Sequence, residues 1–233
     1  MHMTIVKKLA VLVAVAALSA LPDSAAQAAA GGSIDMPRVP AAQRTPEDEA
    51  KAAYNAGVKQ IEKAKEYEQD AAKASDDSKR EKLLKKATAA YEHATDKFED
   101  AVNSVPEFYQ AWNYLGFARR HLGKYDAALE AYDRALKLDP GYVDAIEYRG
   151  EAYLGLNRLE DARKAYLDLF ARSRKHADQL LASMQKYVDQ RRKEPNGLAP
   201  QALDEFAQWV GERTTIAQQT ASLDTGSAQA SWR

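Results

Sequence analysis

Between Tyr109 and Tyr142 the chain reads YQAWNYLGFARRHLGKYDAALEAYDRALKLDPGY, and the reading of this stretch decides the fold. Apolar residues recur every three or four positions on both sides of Gly123, which spells two amphipathic helices joined by a tight turn. Gly116 and Ala128 lack bulk where the two helices cross, and Trp112 and Tyr132 fill the groove beside them. Gly123 suits the left-handed conformation that ends a first helix, and Pro140 stops the second. The spacing therefore predicts a packed helical hairpin.

The same register returns one length further on. Gly150, Tyr153, Ala162 and Tyr166 fall on the corresponding positions between Val143 and His176. Ile146 takes the tryptophan slot, Arg149 the leucine slot and Arg174 the proline slot, so the second helix of this copy is expected to run on toward Arg174 and the next hairpin to dock at an altered angle. Shifting back places Ala94, Phe98, Ala101 and Pro106 on the second-helix positions of a preceding copy, whose first-helix glycine is Gly57. Gly57 and Ala94 are 37 residues apart, against 12 between Gly116 and Ala128. The surplus of 25 residues predicts two arms each lengthened by about three turns, to roughly 40 Å at about 1.5 Å per residue.

Two stripes support that elongated hairpin. Ala50, Tyr54, Gly57, Ile61, Ala64 and Ala71 share one helical face, interrupted by Glu68, while Leu84, Ala87, Tyr91, Ala94, Phe98, Ala101 and Val105 share another. Thr45-Pro46-Glu47-Asp48 supplies a capping hydroxyl, a first-turn proline and carboxylates for the start of the first arm. Ser75-Asp76-Asp77-Ser78 reads as the turn, with Ser78-Lys79-Arg80-Glu81 as a capping box for the returning arm. Beyond the repeats, Leu180, Leu181, Met184 and Val188 mark one helix, ended by Pro195-Asn196-Gly197, and Leu203, Phe206, Ala207, Trp209 and Val210 mark a last one. Both read as caps over the open end of the stack.

The N-terminus carries a different signal. Lys7 and Lys8 precede an apolar run from Leu9 to Leu21, followed by the small-residue cleavage patterns Ala26-Gln27-Ala28 and Ala28-Ala29-Ala30. This is the layout of a secretory signal peptide, and 13 apolar residues fall short of the roughly 20 that a spanning helix needs. The expected organisation is a signal peptide over 1–28, a flexible leader over 29–44, the elongated hairpin over 45–108, repeats over 109–142 and 143–176, capping helices over 177–221 and a disordered tail over 222–233 that holds Trp232. Cleavage leaves 31 basic and 33 acidic residues, so no broad positive field attracts nucleic acid or anionic lipid. The 233-residue chain has no cysteine, which excludes disulfides, thiolate metal sites, cysteine nucleophiles and N-terminal lipidation. A free, exported protein is expected, periplasmic with outright secretion as the alternative.

Enzymatic readings are weak. Gly116 to Lys124 superficially suggests a phosphate loop, but six residues intervene instead of four and Tyr125 stands where a magnesium-binding hydroxyl belongs. His2, His93, His121 and His176 are scattered, with no i, i+4 pair to hold a metal. No catalytic residue, metal or cofactor is assigned.

The seven positions Trp112, Leu115, Gly116, Ala128, Tyr132, Ala135 and Pro140 are spaced as in the 34-residue tetratricopeptide repeat, and the chain resembles that family over residues 94–172, particularly its small exported members. The resemblance implies an all-α solenoid whose hairpins stack into a right-handed superhelix, the first helices lining a concave groove for a partner peptide or helix. It implies groove-facing positions at Gln110, Asn113, Phe117, Arg120 and His121, at Asp144, Glu147 and Glu151, and at Tyr54 in the elongated repeat. Family members that grip an acidic C-terminus use basic residues and asparagine where Glu147 and Glu151 stand here. An acidic peptide is therefore expected to be repelled and a basic or amphipathic partner favoured, with Phe117 offering a face to a cation. The function expected is that of a non-enzymatic adaptor or scaffold of the bacterial cell envelope. The competing reading is a structural protein that self-assembles through the 46–105 hairpin.

Overall fold

The computed structural model describes residues 44–229, with side chains to Thr220; the signal peptide, the leader up to residue 43 and Trp232 lie outside the described residues. The described residues form eight α-helices and no strand: α1 Pro46–Lys73, α2 Asp77–Ser104, α3 Tyr109–His121, α4 Tyr125–Leu138, α5 Val143–Gly155, α6 Leu159–Arg172, α7 Arg174–Lys193 and α8 Pro200–Gln229. Each helix packs antiparallel on the next, so the chain is a row of hairpins, a tetratricopeptide-type solenoid.

What sets each hairpin is a ring laid on a bare stretch of helix. A methyl group added at Gly116 would sit 2.6 Å from Cε1 of Tyr132, and one at Gly57 would sit 2.7 Å from the Phe98 ring. Tyr132 and Phe98 are fully buried. Gly150 departs from its place in the repeat pattern. Its nearest neighbour is Leu180 of α7, at 2.6 Å, rather than the ring of Tyr166. Here the missing side chain admits the next hairpin instead of closing its own.

The first helices stand closer together than the second ones. α1 touches α3, α3 touches α5 and α5 touches α7, whereas α2, α4 and α6 make no comparable approach to one another. A row crowded on one side and spread on the other curves, with α1, α3, α5 and α7 on the concave face. α7 thus takes a first-helix place and α8 packs beside it, so the two are a further hairpin as well as a cover for the core around Leu169, Leu180, Met184 and Phe206.

The elongated hairpin is present as two 28-residue helices, about 42 Å each at about 1.5 Å per residue. Ala50, Gly57, Ile61, Ala64 and Ala71 of α1 are buried against Ala87, Tyr91, Ala94, Phe98 and Ala101 of α2. Leu84 departs from the seam and is 46% exposed. Thr45 caps α1 through a reciprocal bond with Asp48.

Four expectations need correction. The capping residue of α2 is Asp76, whose carboxylate accepts from the Lys79 amide, and not Ser78. Two carboxylates precede the serine, and the first meets the free amides before the hydroxyl can. α6 does not run on to Arg174. It stops at Arg172 because Ser173 is extended, with φ −154°, and its hydroxyl bonds the His176 ring at 2.7 Å, turning the chain so that Ala177 and Leu180 are buried. α7 and α8 are more than caps, since Leu180 needs the space at Gly150. The C-terminal tail, expected to begin at 222, is helical through Gln229, although Asp224, Thr225, Gly226 and Ser227 are poor helix formers.

The ring-on-glycine contact makes a testable demand. Gly116→Ala raises helix propensity yet is expected to destabilise the protein by about 1–3 kcal/mol in urea unfolding, because the buried ring has nowhere to go. Gly211→Ala in α8, where an added methyl group meets nothing within 4 Å, is the control and should be neutral or stabilising. Tolerance of both alike would contradict this account of the hairpin.

Candidate functional site: the concave face

α3, α5 and α7 present their side chains in three zones. At the helix C-termini, Arg120 of α3 pairs with Glu151 of α5 at 2.9 Å, and Ser183 of α7 donates to the other oxygen of Glu151 at 2.5 Å. Arg120 also lies over the rings of Phe117 and Tyr148, at 5.2 and 5.8 Å. Beside it, His121 stacks on Tyr91 with ring centres 4.5 Å apart, and Tyr91 donates its hydroxyl to Glu68 at 3.0 Å. Burial, reinforced by Arg120 and Lys65, pushes the His121 ring down to about 3, so it is neutral at physiological pH. These contacts splice the elongated hairpin onto α3.

The middle zone is buried. Phe117 is 5% exposed, and Lys65 of α1 lies 4.8 Å over its ring. Asn113 is 1% exposed and its side-chain oxygen has no hydrogen-bond partner among the described residues. Glu147 is 6% exposed. Burial, then the charges of Glu151 and Asp144, raise its pKa from 4.5 to about 7 against the opposing pull of Arg120 and Lys175.

The third zone lies toward the helix N-termini and is the more open. Asp144 accepts from or pairs with His176 Nε2 at 3.0 Å, yet 41% of its side chain remains exposed. Tyr54, Tyr114, Tyr142 and Tyr148 surround it, all half-buried, and Gln110 lies beside Tyr54 at the edge. Burial raises the pKa of all four tyrosines, and the Asp144 charge adds to it in each.

The structure thus brings the nine residues singled out in the sequence onto or just beneath one face, but not as equals. Tyr54, Gln110 and Asp144 are accessible. Asn113, Phe117 and Glu147 lie beneath the surface because α3 and α5 approach closely. Glu151 does not stand as a free repelling charge, since Arg120 neutralises it. Phe117 does not offer its face to an incoming cation, because Lys65 and Arg120 already occupy it. Sequence reasoning missed Tyr114, Tyr142, Tyr148, His176 and Ser183. Tyr142 and Tyr148 flank Asp144 within one turn, a local cluster of aromatic residues about an acid that was open to inspection.

Among the described residues no group of three or more acidic or histidine side chains is placed to hold a metal ion, and no helix is long and apolar enough to cross a membrane.

The tetratricopeptide repeat family matches residues 109–142. The chain therefore carries a tetratricopeptide repeat over these residues. Solved structures similar to it are likewise of this kind. One is the TPR2B-domain:pHsp70 complex of yeast Sti1 (13% identity, TM-score 0.36, 71% of this chain and 98% of that one). Another is the first TPR of Spaghetti (RPAP3) bound to the HSP90 peptide SRMEEVD (18%, 0.37, 70% and 95%), and a third is the first TPR domain of human RPAP3 (18%, 0.37, 71% and 97%). The repeat it carries is characteristic of interaction modules.

The buried Glu147 gives the site a pH signature. A carboxyl whose folded pKa is raised holds its proton in the folded chain between about 4.5 and 7, while the unfolded chain has released it, so stability falls as pH rises through that window. The loss is on the order of 2–3 kcal/mol. Urea unfolding of wild type and Glu147→Gln at pH 5 and pH 8 should show wild type losing more stability than the variant, by roughly that amount. Parallel pH dependence in the two proteins would contradict the burial of an ionising Glu147.

Proposed function

We propose that this chain is a non-enzymatic adaptor or scaffold of the bacterial cell envelope that holds a segment of another protein, extended or helical, against its concave face. The observation that carries the reading is the open zone of the face, where Asp144 keeps 41% of its side chain exposed among the part-exposed rings of Tyr54, Tyr114, Tyr142 and Tyr148, with Gln110 at its edge. The repeat at 109–142 supports the same reading, since the residues that define it are spent on packing the hairpin.

The envelope setting is supported by Lys7, Lys8, the Leu9–Leu21 run and the Ala-x-Ala patterns that follow. It makes the periplasm the proposed location after cleavage, with secretion the alternative. The partner is proposed to be basic or amphipathic, on account of Asp144 and Glu147; Glu151, being paired, contributes little. Self-assembly through the long hairpin has less to rest on. Its alanine seam is consumed between α1 and α2, and on its distal part Leu84 is the exposed large apolar residue among those described.

Photocrosslinking in cells separates the two faces. A probe at Gln110 is expected to capture a partner that a probe at the outward Glu130 of α4 does not, and the mature N-terminus read by Edman sequencing is expected to fall between Ala28 and Gly31. Equal labelling of the same proteins from both positions would overturn the adaptor reading, and an N-terminus at Met1 would overturn the envelope assignment.

A further inference from the structure

The N-terminal corner of the concave face combines two features that meet at Tyr54. The first is a cleft of about 410 Å³ walled by Ala50, Tyr54, Val105 and Phe108, with Glu47, Lys51, Asn55 and Gln110 around its mouth. Its walls are aliphatic and aromatic, and the rings are fixed: Tyr54 packs on Phe108 at 4.9 Å and on Phe98 at 5.8 Å. The second is the aromatic surround of Asp144. Tyr54 meets Tyr114 edge to face at 5.6 Å, Tyr142 meets Tyr109 at 5.0 Å, and Tyr148 is braced by Phe117 at 5.2 Å. Among the described residues, none of the four tyrosines around Asp144 has a lysine or arginine over its ring except Tyr148, which Arg120 covers. The carboxylate of Asp144 is held by His176, which is itself tied to Ser173, and accepts from the Tyr142 hydroxyl, yet 41% of its side chain remains exposed.

Glu147, one turn along α5, lies behind Asp144 and adds negative charge only as the pH rises through neutrality. It is nine-tenths buried, and its nearest opposite group is the His176 ring nitrogen, at 4.0 Å. The basic groups within reach of these acids are His176, Lys175 and, toward Glu147, Arg120, with Lys51 at the far side of the cleft. Arg120 is committed to Glu151. An acid with an open side, ringed by π-faces and backed by a second buried acid, attracts a cation and repels an anion. A neighbouring apolar cleft with rigid walls takes an aliphatic side chain.

We infer that this corner is a two-part recognition site, in which the cleft seats a large aliphatic side chain of the partner and the tyrosine-lined Asp144 receives a lysine or arginine close to it in the same segment. The inference rests on the proposed adaptor reading and names what the adaptor selects. Tyr54 is the shared wall, so the two side chains are read together. Asp144 is the specificity-determining residue, and Glu147 strengthens it without touching the ligand.

The test is selection from a random-peptide phage library on the immobilised full-length protein, followed by fluorescence anisotropy of the recovered peptides as synthetic, labelled probes. The expected result is enrichment of Leu, Ile or Met near Lys or Arg. Asp144→Asn should weaken those peptides about ten-fold, as loss of a charge-assisted contact does, and replacing the peptide lysine by norleucine should then weaken them no further. Because Asp144 also holds His176, Gln110→Lys serves as the second variant: it places a competing cation at the edge of the site and should weaken the same peptides. Peptides that crosslink to a probe at Gln110 but lack basic residues, or are insensitive to both Asp144→Asn and Gln110→Lys, would overturn this inference and leave the adaptor reading standing. Recovery of no peptide, or of peptides that crosslink equally to a probe at Glu130, would overturn both.

Discussion

An aromatic ring lying on a helix that has no side chain to push it away is the contact on which the rest depends. Phe98 over Gly57 and Tyr132 over Gly116 bring the two helices of a hairpin to backbone distance and fix how far one can slide along the other. Once that register is set, the remaining small residues, Ala94, Ala101, Ala128 and Ala135, fall where the helices cross and are buried completely. Gly150 uses the same device outward. It receives Leu180, and through it the α7–α8 hairpin is joined to the stack.

Curvature follows from the same economy of volume. First helices carry glycine at the crossing and approach one another closely, while the second helices carry the rings and are held apart. The concave face that results is crowded, and crowding governs its chemistry. Charges there cannot all remain free: Glu151 is matched by Arg120, Glu147 is driven toward its protonated form, and His121 is kept neutral between Tyr91 and Phe117. The zone nearest the helix N-termini, where Asp144 is still partly solvated, keeps a net charge to show a partner.

The fold was legible because it is written in small residues at fixed spacing. The 34-residue register, the glycine and ring positions, and the 25-residue surplus that lengthens the first hairpin all concern volume, which a sequence states directly. The ends of elements were less legible where several residues compete for one role. Asp76 and Ser78 both suit a cap, and the one met first by the free amides won. The face was legible as a set of positions and not as a set of states. That Asn113 and Phe117 lie beneath the surface, and that Glu151 is paired, depends on partners 31 residues away or more on other helices, such as Arg120 for Glu151 and Lys65 for Phe117. Tyr142 and Tyr148 were passed over because a repeat reading assigns them to packing, whereas both stay partly exposed beside Asp144.

The central claim is that the first-helix face of a curved hairpin stack is where another polypeptide sits. Hydrogen–deuterium exchange of the full-length protein, with and without a saturating peptide selected on it, tests this most directly. Protection concentrated in α3 and α5, with the first half of α1 joining them and with α4 and α6 unchanged, is the predicted result. Protection centred on α4 and α6, or confined to the distal arms of α1 and α2, would contradict it.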